Sequence, residues 1–412
     1  MKTITWAVKL SFALFIFNLF ALPSLFGFSI PHCTQITTMF SAGIIGLNML
    51  YSKQTASSIL GTASPFICYF SYIACLGVFF QISKNYNFSL VFPYFKKTIL
   101  VLIVVYIVFS DKSLEWILLV GITLATVLSV YSIMNVTSLM MRLRLSDNVS
   151  ENTAGLIFTF GVICTFLTRN SMFNKYIKFI LNLLLISGIV LTGSRQAMLI
   201  CSVIYFGWII RIMLERKEQN RKSSVIGKLL FFAFGACIVV LLIDNGLIDT
   251  LKSTKFYLRI TGSSSSTLIS DNARKYLYKL GYDTFLDYPL FGCGYNTLAK
   301  YTHSTYMEVL GGTGIIGFIF FYFPFAKRIK NSVSKLKNSD INTKIAGLEK
   351  LVLILTLLVM MLFRAVHYYH ISVIIIAIIL IDVPKLVEEN DTQKVALAGG
   401  ITNNESWINP EL

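Results

Sequence analysis

Charge is what this sequence has least of. Asp, Glu, Lys and Arg make up 14% of its 412 residues against 55% hydrophobic residues, and the mean hydropathy is +0.69. An ordinary soluble protein, with about 25% charged residues, is excluded by that balance. Histidine is scarce as well, at four residues, and the seven cysteines follow neither a metal-ligand nor a disulfide spacing. Cys68, Cys75, Cys164, Cys201 and Cys237 fall inside apolar runs, where a thiol packs as a small apolar group. Only Cys33 and Cys293 lie where a bridge could form outside them. No internal repeat is present, no nucleic-acid-binding module, and no A-x-A-like exit after the first apolar stretch.

What the chain has instead is a succession of apolar runs near 20 residues, each about long enough to cross a bilayer as a helix. Spans are expected near 8–26, 34–50, 56–82, 98–110, 114–134, 153–168, 177–192, 196–214, 225–243, 305–326, 346–363 and 371–383. The expected fold is an all-α polytopic membrane protein with about 12 transmembrane helices, one transmembrane domain over 1–383 and a polar cytoplasmic tail over 384–412. The first span, behind Lys2 and Lys9, reads as an uncleaved signal anchor.

Lys and Arg gather in short cytoplasmic loops. "RIMLERKEQNRKSSVIGK" (211–228) and "KRIKNSVSKLKNSDINTK" (327–344) are such loops, which puts both termini inside. "TGSR" (192–195), the segment 244–304 and "RAVHYYH" (364–370) then face outward. This topology accounts for most of the net charge of +16 and leaves nucleic acid without a case as partner.

The outward segment 244–304 is too long for a turn and short for a domain. Within it Ala273, Tyr276, Leu277, Leu280, Thr284 and Phe285 recur at helical spacing, with Ser270 or Asp271 as cap and Pro289 as stop. That phase predicts an amphipathic helix on the membrane surface. Arg274 falls in its first turn, where a cation opposes the helix dipole but suits an anion seat; pairing with Asp271 or Asp283 is the plainer reading. Arg195, beside Gly193 and Ser194 at a junction with almost no loop, either snorkels to the interface or faces a ligand. His303 stands where the outward segment meets the next span, as a structural histidine or as a base. Two guanidiniums and an imidazole on one face suit an anionic substrate with a hydroxyl to deprotonate. His367 and His370 lack an evident third metal ligand.

These residues carry a resemblance. "LTGSRQAML", "DNARKYLYKLGYDTFLDYPLFGCGYNT" and "HSTYMEVLGGTGIIGFI", in that order, resemble the O-antigen polymerase and O-antigen ligase family of polytopic glycosyltransferases. "LSDNVSENTAGLIFTFG" (145–161) adds the family's asparagine before a span, at Asn152, so that the family-like core covers about 144–325. The resemblance implies a fold similar to other lipid-dependent glycosyltransferases (GT-C-like), with Arg195, Arg274 and His303 as the acting residues. Where the family usually has asparagine after that histidine, this chain has Ser304. It further implies a glycan on undecaprenyl pyrophosphate as substrate, membrane lipid around it, a chain-length regulator and a flippase as pathway partners, and neither metal nor cofactor. Ser194, Asn152, Ser304, Gly311 and Gly314 are the expected substrate contacts, the glycines because they let another helix or the lipid carrier approach closely. The leading function is polymerisation of repeat units into capsule, exopolysaccharide or O-antigen. A ligase to lipid A core is the alternative within the class, and a flippase the alternative outside it. A flippase is expected to carry charges within its spans, and here they concentrate on one face.

Overall fold

A computed structural model describes residues 2–84, 92–135, 145, 149–168, 173–218, 265–294, 298 and 300–381. The expected span 225–243, the loop 219–228, the first part of the outward segment and the tail 384–412 lie outside the described residues. Among those described, every regular element is helical and none is a strand. Among the described residues six helices are long and apolar enough to cross a membrane: Ile4–Phe26, Ala56–Gly77, Glu115–Met134, Arg195–Glu215, Thr305–Leu336 and Ile341–Phe363. Shorter apolar helices at Glu151–Leu167, Tyr176–Thr192 and His370–Leu380 complete the architecture of a multi-pass membrane protein.

In chain order the helices are α1 (Lys2–Ile16), a π-turn Phe17–Ala21 running into α2 (Leu22–Phe26), α3 (Cys33–Tyr51), α4 (Lys53–Lys84) and α5 (Phe92–Asp111). They continue with α6 (Glu115–Met134), α7 (Glu151–Leu167), α8 (Lys175–Thr192), α9 (Arg195–Glu218), α10 (Ser265–Asp287), α11 (Thr305–Leu336), α12 (Ile341–Phe363) and α13 (His370–Leu380). Their apolar residues do not all point inward. Along α8, Tyr176, Ile177, Phe179, Ile180, Leu183 and Val190 are exposed, a stripe that water would penalise and lipid would not.

Contacts between helices define two ends of the bundle. At one, Arg211 donates to Glu349 (2.7 Å) and to the Phe166 carbonyl (2.9 Å), and Lys9 pairs with Asp111. Lys350 donates to the carbonyls of Ile378 (2.7 Å) and Ile379 (3.0 Å), and Arg328 to that of Leu380 (2.5 Å). Those two cations close the C-terminus of α13, where the helix dipole favours positive charge. At the opposite end α8 meets α9, α10 packs on α11, and α12 meets the turn Val366–Tyr368.

Two expectations change here. The run 371–383 is not a lipid-facing span: α13 covers His370–Leu380 and is buried from Ile371 to Leu380. Eleven residues rise only about 16 Å, half a bilayer, which a helix enclosed by protein tolerates. The outward helix also starts earlier than its capping residues suggest. It begins at Ser265, not at Ser270 or Asp271, because Asp271 is engaged by a guanidinium rather than by a helix N-terminus. Arg274 is therefore well inside α10, away from that helix's own N-terminus.

Candidate active site

The turn between α8 and α9 needs only two residues. Gly193 ends α8 in the left-handed region (φ 58°), and the Ser194 hydroxyl accepts the Ala197 N–H (3.4 Å) to start α9. Ser194 is buried, and a Cβ on Gly155 of α7 would stand 3.0 Å from its Cβ. Ser194 thus packs against α7 and caps α9. Arg195 becomes the first residue of α9, so the unfavourable helix-dipole position expected of Arg274 belongs to Arg195 instead.

Asp271 of α10 offsets that charge. Its carboxylate receives both arms of Arg195, Nη2 at 2.7 Å and Nη1 at 3.3 Å, and Arg274 approaches it at 3.9 Å. The three side chains are 32%, 39% and 27% exposed for Arg195, Asp271 and Arg274. A pair this wet contributes only about 0.2–1 kcal/mol. Stability is therefore a weak reason for two arginines and one aspartate here. The sequence offers Asp271 as a cap or as a partner of Arg274, and that pairing is present; its pairing with Arg195, from a separate helix, has no sequence signal.

His303 is reached from α10 and α12. Its backbone is left-handed (φ 58°), an uncommon state for a residue with a Cβ. Its neighbours hold it there. Thr302 donates its N–H (2.6 Å) and hydroxyl (3.1 Å) to the buried Glu308 carboxylate. Ser304, buried as the N-cap residue of α11, donates its hydroxyl to the Met361 carbonyl (3.4 Å). Ser304 is thereby tied to the end of α12. The Tyr301 ring stands edge-on to His303 (4.4 Å between centroids), and the Tyr301 hydroxyl accepts the Ala365 N–H (3.1 Å). Partial burial first, then Arg274 and Arg364, lower the proton affinity of His303 below its ordinary value. The imidazole is consequently neutral, and able to accept a proton, at neutral pH.

The glycines admit close backbone approach. Gly314 (φ 65°, ψ −169°) breaks α11, and residues 289–294 lie backbone to backbone against the break. Cys293 N–H donates to Gly311 (2.9 Å), Gly294 to Gly312 (3.1 Å), and Ile315 and Ile316 donate to Pro289 (2.9 Å) and Leu290 (3.3 Å). At Gly311 the close approach is made by another helix, as expected: a Cβ there would stand 2.9 Å from the Gly281 oxygen of α10, while at Gly314 the segment 289–294 makes it. Tyr72 of α4 donates its hydroxyl to the Thr313 carbonyl (3.0 Å) at the same kink.

Asn152 is half-buried in the first turn of α7, one turn before Gly155, at the same end of the bundle as Arg195. Cys33 and Cys293 are not joined in a disulfide. His367 is buried against Tyr94 and Phe321, and His370 packs on Phe15. The structure thus joins Arg195 and Arg274 through Asp271, and His303 to Arg274 by proximity of charge. It adds Arg364, Glu308 and Thr302, which the sequence does not single out. Arg364 carried a signal all the same: like Arg195, it is a lone arginine between two apolar runs.

Residues 180–322 match the family model described as O-antigen ligase. No curated protein matches the chain. Arg195, Arg274 and His303 all fall inside the matched segment, and the match supports the resemblance to the O-antigen polymerase and ligase family.

Proposed function

We propose that the chain polymerises oligosaccharide repeat units carried on undecaprenyl pyrophosphate, at the outer face of the cytoplasmic membrane, into capsule, exopolysaccharide or O-antigen. The family match supports a glycan-transferring activity of the polymerase or ligase kind and gives no support to a flippase. The observation that carries the reading is the convergence of Arg195 and Arg274 on one carboxylate beside a neutral histidine. This reading has about twelve crossings, the short enclosed α13 counted among them, in a GT-C-like fold, both termini and the basic end in the cytoplasm, and a chain-length regulator and flippase as partners.

A hydroxyl of the incoming unit attacks the anomeric carbon of the donor sugar. The new C–O bond forms as the bond from that carbon to the pyrophosphate oxygen breaks, and undecaprenyl pyrophosphate leaves with the electron pair. His303 accepts the hydroxyl proton and later releases it to water, a role worth about 10²–10⁴-fold. Arg195 and Arg274 hold the pyrophosphate, whose charge grows as it leaves and which they therefore bind more strongly in the transition state. Asp271 keeps both guanidiniums oriented before the donor arrives. Asn152, at the rim, is placed to meet a sugar hydroxyl. The two guanidiniums supply the charge that a divalent ion supplies elsewhere, so the reaction is metal-independent. A ligase would use the same donor half-reaction with lipid A core as acceptor, a second reading favoured by the family's description.

Purified protein in lipid vesicles, given lipid-linked repeat units and EDTA, is expected to build a ladder of polymer without added lipid A core. Transfer only to lipid A core would turn the reading to ligase. Activity lost with EDTA and restored by magnesium or manganese would contradict the metal-free mechanism.

A further inference from the structure

Arg364 ends α12 as its C-cap residue and is only 6% exposed. A guanidinium stays protonated in proteins, so this is a permanent charge held out of water. Such burial is costly unless an opposite charge and hydrogen bonds compensate it. The compensation here is incomplete. The guanidinium lies over the Tyr369 ring at 4.5 Å, a cation–π contact. Its Nη1 is shut off from solvent and finds no hydrogen-bond acceptor among the described residues. Burial disfavours its charge first, Tyr369 and Tyr301 offset part of that, and Arg274, a like charge, adds to the difficulty.

The backbone of Arg364 has separate work. Its carbonyl accepts the N–H (3.1 Å) and hydroxyl (2.6 Å) of Thr305, and its own N–H donates to the Met360 carbonyl (3.0 Å). Those bonds fix the start of α11 beside His303 and need no particular side chain. The side chain therefore has no structural duty that matches what its burial costs.

We propose that Arg364 is a third phosphate-binding cation of the donor site, its unmet Nη1 donor completed by a phosphate oxygen of the lipid-linked pyrophosphate. The inference rests on the proposed donor reading of the site. Charge supports it: Arg195 and Arg274 against Asp271 leave +1 (2 − 1), and Arg364 raises that to +2. A pyrophosphate diester carries two negative charges, so three arginines match it where two fall short. The nearby buried carboxylate, Glu308, is engaged by Thr302. A guanidinium dehydrated in advance also meets the anion without losing water at that moment, and acts in a medium of low dielectric.

The test compares undecaprenyl pyrophosphate with undecaprenyl monophosphate as binding probes for the purified full chain in detergent. Wild type is expected to prefer the diphosphate. Arg364→Gln should lose that affinity about tenfold or more, bind the monophosphate nearly as before, and keep its melting temperature. Arg364→Lys keeps the buried charge but not the fork of donors. It should still lose part of the preference, which retains the test if the Gln variant does not fold. If Arg195→Ala loses diphosphate binding while both Arg364 variants bind as wild type, the inference is overturned and the donor reading stands. If wild type itself shows no preference for the diphosphate, the donor reading fails, and the inference with it.

Discussion

Replacing Gly314 by alanine should part the segment 289–294 from α11. The added Cβ would stand 2.3 Å from the Leu290 oxygen, 2.4 Å from its carbonyl carbon and 2.6 Å from the Phe291 nitrogen, all of them backbone. Ordinary contact begins at 3.4 Å, so the segment must retreat by about 1.1 Å (3.4 − 2.3). That lengthens the Ile315 and Ile316 bonds, 2.9 and 3.3 Å now, beyond or to the edge of hydrogen-bonding reach. Each such bond is worth about 0.5–1.5 kcal/mol. The backbone pair φ 65°, ψ −169° is nearly exclusive to glycine and adds about 1–3 kcal/mol of strain for alanine. The combined penalty of about 2–6 kcal/mol raises the detached population roughly 30-fold at its lower end. Cys293, half-buried in that segment, reports it. With every other cysteine replaced by alanine, maleimide labelling of Cys293 should accelerate by that factor, and Gly292→Ala should do the same from the other side of the contact. Unchanged labelling in Gly314→Ala would refute the claim that this contact seals the kink.

Removing the Glu308 carboxylate leaves the Thr302 N–H and hydroxyl without their acceptor, a loss of about 1–3 kcal/mol at a buried site. Glu308→Ala should therefore lower kcat with little change in donor affinity, as the backbone around His303 relaxes, and Glu308→Gln, which keeps an acceptor oxygen, should recover most of it; equal loss in both variants would contradict the positioning role. The pH profile of kcat/KM should fall on its acid side only below the ordinary histidine value, because burial, Arg274 and Arg364 all lower the His303 proton affinity and the neutral form is the base. Arg274→Gln removes one of those causes, so its acid limb should move to higher pH, and a limb that stays or moves lower would exclude His303 as the titrating group.

Much of this was legible in the sequence because apolar length is a direct record of the bilayer. The spans at 114–134, 305–326 and 346–363 reappear within α6, α11 and α12. The two arginines and the histidine were legible because a charge beside hydrocarbon demands a reason, and Arg195 and Arg274 do meet. What escaped were facts of pairing. Asp271 reads from its neighbours as a cap or as a partner of Arg274, and its closer pairing with Arg195, 76 residues away, shows only in the structure. The glycines at 311–314 announce a close approach, which a helix makes at Gly311 as expected, while the approach of the segment 289–294 at Gly314 was not foreseen. The run 371–383 has the apolarity of a span, while only its enclosure by other helices shows it to be a short core helix.

The central claim assigns binding to the arginines and proton transfer to His303. The most direct measurement follows a single turnover of lipid-linked repeat unit on purified Arg195→Ala, Arg274→Ala and His303→Ala proteins, with donor binding measured separately. The account predicts that both arginine variants lose donor affinity, while His303→Ala binds donor as wild type does and forms bonds about 10²–10⁴-fold more slowly. A His303→Ala protein that transfers sugar at the wild-type rate would contradict it.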